Sequence, residues 1–164
     1  MTITEHGNDV GALATAPFLD AITELRRRTG GGDLLAVLCV AVDGFAGLHE
    51  DRGDVVADAA LRTTVEHLHS CAPGAAIGRV GADVLAVAFL GDDDVARFLS
   101  LEVGRPVRVD VADEQITITL SSGLAFDNPA HEPVETLRRA EGRLDAHRRP
   151  APPATRPAAA RPAR

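Results

Sequence analysis

The sequence predicts a single α+β domain in which helices flank a mixed β-sheet of about five strands. One observation behind this class is the nearly continuous apolar run over residues 34–42, which is typical of a central strand covered on both faces. Two pairs of apolar segments joined by short turns predict β-hairpins. Four further segments carry apolar residues at helical spacing. A chain of 164 residues has room for one compact core and little more.

The first half of the chain is predicted to alternate helices with strands. Apolar residues at helical spacing after Pro17 predict a helix that Gly30 ends. A polar loop follows the central strand, and the next helix ends before Pro73. The connection Gly81-Ala82 between two apolar segments predicts an antiparallel hairpin. The elements expected here are a helix over 17–29, a strand over 34–42, a helix over 54–70 and strands over 75–80 and 83–90.

The second half is predicted to add a helix, a second hairpin and a closing helix. We interpret Asp92, Asp93 and Asp94 as the cap and first turn of a short helix rather than as a metal cluster. Pro133 stands near the first turn of the closing helix, where proline is favourable. The elements expected here are a helix that ends near residue 103, strands over 106–111 and 115–125, and a helix over 132–148.

The element order predicts a palm or ferredoxin-like arrangement, with helices packed against the sheet. Residues 1–15 are polar and show no periodicity, so a flexible N-terminal arm is expected before a body over residues 16–148. Residues 149–164 are rich in Pro, Ala and Arg and cannot bury a core, which predicts a disordered tail. We interpret the tail as a solvated spacer; the alternative is a basic peptide that docks to an acidic surface or to anionic lipid.

The charge of the body excludes one class of partner. Residues 1–147 contain 12 of the 17 basic residues and all 24 acidic ones, a formal charge of −12. Such a body repels phosphate backbones, so general nucleic-acid binding is not expected. No apolar run is long enough to span a membrane and no secretory signal is visible, which favours a cytoplasmic protein.

Neither the cysteines nor the histidines form a metal-binding pattern. Cys39 lies in the apolar run and Cys71 ends a predicted helix, so we expect small thiols in a reducing compartment rather than a disulfide. His67 and His69 share a helix and His49 lies in a loop, with no spacing typical of zinc. Surface positions are expected for all three histidines.

Two segments can form a site at one end of the sheet. VDGFAGLHEDRGDVVAD over residues 42–58 follows the central strand, and RVGADVL over residues 79–85 spans the first hairpin. Both resemble the GGDEF domain family, which makes cyclic di-GMP from two GTP molecules and carries a DxDxF segment and an RxGGDEF turn. Downstream, ITITLSSGLA resembles the family's T-V-S-x-G-V-A strand, and residues 140–145 stand where the family has A-D-x-A-L-Y. The resemblance covers about residues 16–149 and implies a GGDEF or palm-like fold.

The departures from the family pattern fall on its catalytic positions. In the family, the first Asp of DxD and an acidic residue of the signature hold two Mg²⁺ ions. Here the first of these positions is Ala41, while Asp83 keeps an acidic position of the signature and Val84 replaces the following Glu. Ala46 stands where the family has a phosphate-facing Lys. The resemblance therefore implies a metal site reduced to Asp83, no resident cofactor, and Mg²⁺ only as a companion of bound GTP.

Some positions that contact nucleotide in the family are partly retained. Asp58 matches the base-contacting Asp, His49 occupies the position of an Asn, and Arg148 lies where a phosphate-contacting Lys often occurs. The residues that are expected to contact a guanine nucleotide, if binding is retained, are Asp43, Phe45, His49, Asp58, Gly81, Asp83 and Arg148. Several also have a structural explanation, because Asp43 can orient its loop, Phe45 can belong to the core and Gly81 can serve the turn.

The resemblance and its departures together favour a catalytically inactive regulatory or protein-interaction module in bacterial cyclic di-GMP-related signalling. A protein partner or a homodimer is expected. One alternative is a guanine-nucleotide receptor without turnover. The other is a weak diguanylate cyclase that relies on Asp43 and Asp83. Product inhibition is not expected, since Ala72 and Ala75 stand where the family's RxxD motif has its Arg and Asp.

Overall fold

The computed structural model describes residues 10–148. Its helices and strands are α1 Thr15–Arg28, β1 Leu34–Val42, α2 Phe45–Arg52, α3 Asp54–Cys71, β2 Ala76–Arg79, β3 Val84–Gly91, α4 Asp93–Val103, β4 Val107–Val111, β5 Glu114–Ile118, β6 Leu120–Phe126 and α5 Pro133–His147. The α+β class with a sheet flanked by helices is confirmed. Two predictions about individual elements are wrong: α2 replaces a predicted loop, and β5 and β6 replace one predicted strand.

The main sheet has four strands in the order β2-β3-β1-β6, and each neighbouring pair is antiparallel. The predicted central strand is confirmed, because β1 lies between β3 and β6 and is buried from Leu35 to Val42. The predicted first hairpin is confirmed as the β2–β3 pair. The one parallel pairing within residues 10–148 is an isolated bridge between Leu13 and Gly78.

The predicted second hairpin differs from the structure in its second strand. β4 pairs with β5 in a separate two-stranded ribbon, whereas β6 leaves the ribbon and pairs with β1. The chain changes partner at Thr119, whose carbonyl accepts a hydrogen bond from the Asp43 N–H at 2.9 Å. Residues 10–148 therefore contain six strands in two sheets rather than about five in one. The segment ITITLSSGLA contains no proline or turn dipeptide at Thr119. Its strand-like pattern therefore continues across the boundary between β5 and β6, and the sequence gives no sign of the boundary.

The core has one layer on each face of the main sheet, and alternate side chains of β1 supply both layers. Ala36 and Leu38 belong to a cluster that also contains residues of α3, α4 and the β4–β5 ribbon. Val37 and Cys39 belong to a cluster with α1 and α5. Burial on both faces explains why β1 is apolar at every position.

The predicted flexible arm over residues 1–15 differs from the structure in its last part. Val10 and Ala12 are buried in the core, and Leu13 exchanges backbone hydrogen bonds with Ile77 and Arg79 at 2.9 and 2.7 Å. The segment is packed because its apolar residues complete the layer that contains α3. Residues 1–9 and the predicted tail over residues 149–164 lie outside the described residues.

The cap of α4, the two cysteines and the apolarity of the helices can be compared with the sequence predictions. The Asp92 carboxylate caps α4 by accepting a hydrogen bond from the Val95 N–H at 2.9 Å, as predicted. Cys39 and Cys71 are free thiols, and burial raises the pKa of Cys39 to about 12. No helix within residues 10–148 combines the length and apolarity needed to cross a membrane.

The closing helix packs directly on the edge strand of the main sheet. A Cβ atom added at Gly123 of β6 would collide with backbone atoms of Ala140 and Leu144 in α5. This close approach lets the Arg139 and Arg143 guanidinium groups donate hydrogen bonds to the carbonyls of Phe126 and Leu124. The two arginines thus cover part of the edge of the sheet.

Candidate functional site

The loop that carries most of the predicted site residues contains a helix. α2 begins at Phe45 after Gly44, which adopts φ 69°, and it is separated from α3 by Gly53 at φ 81°. Both glycines occupy the left-handed region, where other residues are strained. Phe45 and Leu48 are half-buried against the core, which holds the helix on the body. The two bracketing glycines are the sequence signal that could have predicted α2.

Asp43 holds the end of β1 against the start of β6. Its Oδ2 accepts a hydrogen bond from the Thr119 hydroxyl at 2.7 Å, and its Oδ1 accepts one from the Ser121 hydroxyl at 2.6 Å. Both carboxylate oxygens are therefore occupied by neighbouring side chains. This arrangement supports the interpretation that Asp43 orients its loop.

A small pocket beside the end of β1 brings four of the predicted residues together. It has a volume of about 160 Å³ and is lined by Asp43, Phe45, Asp83 and Arg148, together with Ala41, Val42, Gly44 and Ala46. The Arg148 guanidinium lies 3.1 Å from Asp83 Oδ2 and 3.5 Å from Asp83 Oδ1. A second carboxylate, that of Asp145, lies 3.5 Å from Arg148 Nε. The charge of Asp83 is thus balanced by a side chain of the same molecule.

A larger pocket of about 470 Å³ lies between α2, the start of α3 and the β2–β3 turn. Its lining includes Phe45, His49, Asp58 and Arg79. The rings of Phe45 and His49 stack with their centroids 6.5 Å apart. His49 Nε2 lies 2.5 Å from the carboxylate of Asp54, which also lines the pocket. His49 is exposed, as predicted.

Arg79 lines the larger pocket but was not among the residues predicted from the sequence. Its guanidinium donates a hydrogen bond to the Ala82 carbonyl at 2.9 Å, which braces the turn between β2 and β3, and the side chain lines the larger pocket. Its place as the first residue of RVGADVL is the signal that could have identified it.

The predicted site residues therefore divide into groups. Asp43, Asp83 and Arg148 line the small pocket, His49 and Asp58 line the larger one, and Phe45 lines both. Gly81 lines neither pocket. Its N–H donates to the Val84 carbonyl at 3.2 Å, which gives it a place in the turn.

The arrangement offers little to a divalent cation. Mg²⁺ requires several oxygen ligands, usually including carboxylates. Ala41 supplies none, both oxygens of Asp43 accept hydrogen bonds, and Asp83 faces a guanidinium. Within residues 10–148, no group of three or more His, Cys, Asp or Glu side chains is placed to hold a metal ion. The residues at this position do not fit the two Mg²⁺ ions that the resemblance assigns to the family.

Comparison with known proteins gives matches in structure. No protein-family model matches the sequence, and no significant match is found among curated proteins. The FimX GGDEF domain from Pseudomonas aeruginosa superposes with a TM-score of 0.71 at 18% identity, over 85% of this chain and 91% of that chain. The GGDEF domain of DgcB from Caulobacter crescentus, solved in complex with c-di-GMP, gives 0.69 at 22% identity, over 84% of each chain.

A third neighbour is a longer protein. The diguanylate cyclase SiaD from Pseudomonas aeruginosa, solved in complex with its activator SiaC, gives a TM-score of 0.71 at 18% identity. The match covers 85% of this chain and 56% of SiaD. The matches to all three structures cover 84–85% of this chain. The chain has the fold of a GGDEF domain.

Proposed function

We propose that the protein is a non-catalytic GGDEF-fold module that acts in the bacterial cytoplasm, in cyclic di-GMP-related signalling, through a protein partner or a homodimer. The observation that carries this proposal is the ion pair between Arg148 and Asp83. Asp83 is the acidic residue that the resemblance assigns to the metal site, and its charge is already balanced by a guanidinium.

The charge requirement of the cyclase reaction supports the proposal. Joining two GTP molecules places large negative charge at the reacting phosphates, which metal ions neutralise in such reactions. A site with one available carboxylate has too few anionic ligands to hold two Mg²⁺ ions. Ala46 also removes the cation expected at the phosphates. This site thus lacks the metal ligands and the phosphate-facing Lys. Arg148, at the position of a second phosphate-contacting Lys, is committed to Asp83 and Asp145.

A protein partner is the expected route of action for a module without turnover. The structural neighbour SiaD was solved with an activator protein, which gives a precedent for protein contacts by a chain with this fold. By analogy, we propose that this chain signals by changing its contacts with another protein rather than by making a product.

A second candidate function is nucleotide reception without turnover, and the larger pocket favours it. Its volume of about 470 Å³ falls in the range of small-molecule sites. Asp58 can accept hydrogen bonds from the N–H groups of guanine, and Arg79 adds a positive charge to the lining of the pocket. His49 and Phe45 offer a stacked ring surface beside them.

One titration separates these functions. Purified full-length protein is titrated with GTP and with cyclic di-GMP, with and without Mg²⁺, while heat release and nucleotide composition are followed together. The proposal predicts no product. Binding that Asp58→Ala abolishes supports the receptor, while absence of heat leaves the protein-interaction module. Cyclic di-GMP formation that requires Asp83 overturns the proposal in favour of a weak cyclase.

A further inference from the structure

Helix α4 has apolar side chains on two faces, whereas a helix at a protein surface usually has one. Ala96, Leu99 and Val103 are buried against the sheet. The opposite side carries Phe98, which is 57% exposed, and Leu101, which is 73% exposed. The large exposed hydrophobic residues of the described chain are Leu13, Leu34, Val55, Val95, Phe98 and Leu101. Three of these six belong to this one short helix.

The exposed apolar surface continues from α4 onto the sheet. Val95 packs over Gly91, since a Cβ atom added at Gly91 would lie 2.8 Å from Val95 Cγ1. Gly91 in turn pairs with Leu34, which is 46% exposed at the start of β1. Leu34, Val95, Phe98 and Leu101 form what we call the α4 patch. Apolar surface gathered in this way marks contact sites in soluble proteins.

The start of α4 is acidic, and an exposed arginine follows its end. The helix begins with the exposed acidic residues Asp92, Asp93 and Asp94. Just beyond its end lies Arg105, whose side chain is 71% exposed and pairs with Glu102 at 3.0 Å. When two such helices run antiparallel, the acidic start of each lies beside Arg105 of the other. This charge arrangement fits a second copy of the same chain.

The positions of the apolar residues fit the same arrangement. Phe98 and Leu101 are three residues apart near the middle of α4, so both lie on one side of the helix. A two-fold axis that passes between them places Phe98 of one copy against Leu101 of the other. An interface of this kind is isologous, because each copy contributes the same patch.

We propose that the α4 patch is a homodimer contact in which the α4 helices of two copies pack antiparallel. The segments 1–9 and 149–164 offer few apolar side chains that could cover the patch. Residues 149–164 contain no Val, Leu, Ile, Phe or Met, and residues 1–9 contain only Met1 and Ile3. A helix of 11 residues is about 16 Å long, so the interface is small and the dimer depends on protein concentration.

The contact lies away from both candidate pockets. Asp83 immediately precedes β3, and the residues that begin α4 immediately follow it. A strand of eight residues separates the two sites by about 26 Å. Dimerisation through α4 therefore leaves both pockets open. If no α4 dimer forms, the proposal of a non-catalytic module is not contradicted.

Sedimentation equilibrium of the full chain over a range of concentrations tests the proposal. We expect a monomer–dimer equilibrium whose Kd rises about tenfold or more in Leu101→Glu, since a charge then enters the interface. Val55→Glu is the matched control, because Val55 is 74% exposed on α3 and lies outside the patch. Asp94→Arg is expected to weaken the dimer, and Asp94→Arg combined with Arg105→Asp is expected to restore it. Far-UV circular dichroism checks that each variant is folded. A monomer at every concentration, or a dimer that Leu101→Glu leaves unchanged, overturns the proposal.

Discussion

The guanidinium of Arg148 lies 3.1 Å from the carboxylate of Asp83, in the small pocket beside the end of β1. Arg148 directly follows α5, and Asp83 lies in the turn between β2 and β3. The contact therefore joins two distant parts of the chain and places a permanent cation where the resemblance assigns a metal.

Replacing Arg148 with Glu is expected to change the response of the protein to divalent cations. The substitution places a third carboxylate beside Asp83 and Asp145, and clustered carboxylates bind Mn²⁺ and Mg²⁺. Without metal, the variant should lose less than about 1 kcal/mol of stability, because the wild-type pair is partly exposed. Millimolar Mn²⁺ should restore the melting temperature of the variant and leave that of the wild type unchanged.

Thermal melts with and without Mn²⁺ measure this difference. Arg138→Glu is the matched control, since Arg138 is an exposed arginine of α5, the helix that Arg148 follows, and it pairs with Glu135 three residues away. A wild-type melting temperature that rises with Mn²⁺ as much as that of the Arg148→Glu variant would contradict this account of the pocket.

Asp43 is expected to contribute to stability through the two hydroxyl groups that it holds. Asp43→Ala removes the acceptors for Thr119 and Ser121, and hydrogen bonds to a charged group contribute about 1.5–3 kcal/mol each. We expect a loss of about 2–3 kcal/mol in urea denaturation and a smaller loss for Asp43→Asn, which keeps one acceptor oxygen. In a double-mutant cycle, Ser121→Ala should couple to Asp43→Ala by about 0.5 kcal/mol or more. Additive effects would show that the pair does not stabilise the loop.

Gly123 and Gly142 should respond to alanine in opposite directions. A Cβ atom at Gly123 collides with the backbone of α5, so Gly123→Ala must displace that helix from the sheet and should cost about 2 kcal/mol or more. Gly142 lies within α5, and an added Cβ atom meets nothing within 4 Å. Gly142→Ala should therefore stabilise the protein by about 0.5–1 kcal/mol. Chemical denaturation of both variants checks the signs, and equal effects would contradict the packing described.

The partly buried pair of Arg26 and Asp127 predicts a loss of stability in acid. Burial of Asp127 opposes its ionisation, but hydrogen bonds from Arg26 and Thr136 outweigh burial and lower the pKa of the carboxyl group below its ordinary value. A lowered pKa contributes stability above the unfolded-state pKa of about 3.9, and this contribution is lost as the pH falls through the folded-state pKa.

Asp127→Asn should cost about 3 kcal/mol at neutral pH, because it breaks a nearly buried ion pair. The difference between the wild type and this variant should shrink below about pH 4. Asp113→Asn in the exposed turn after β4 is the control. Urea denaturation across the pH range measures the difference, and a constant difference down to pH 2 would contradict the role of the ionised carboxylate.

Much of the fold was predictable because its elements carry strong local patterns. Burial on both faces makes β1 apolar at every position, and the turn at Gly81-Ala82 marks the first hairpin. The boundary between β5 and β6 was not predictable in this way. Thr119 changes the strand's partner through hydrogen bonds with Asp43, which lies 76 residues away in the sequence.

The resemblance proposed the candidate site residues but predicted few of the contacts that they make in the structure. The resemblance identified Asp83 and Arg148 separately, and their ion pair depends on the position of the end of α5 relative to the β2–β3 turn. Local spacing carries no information about that distance. α2 was missed because its eight residues are mostly polar and show little periodicity, so only its flanking glycines mark it.

The most direct test of the central claim is an assay of turnover. Purified full-length wild type and its Asp83→Ala variant are incubated with GTP and Mg²⁺, and the nucleotides are separated by chromatography. The account predicts that neither protein forms cyclic di-GMP. Product that is formed by the wild type and lost in Asp83→Ala would contradict the claim that this GGDEF fold lacks cyclase activity.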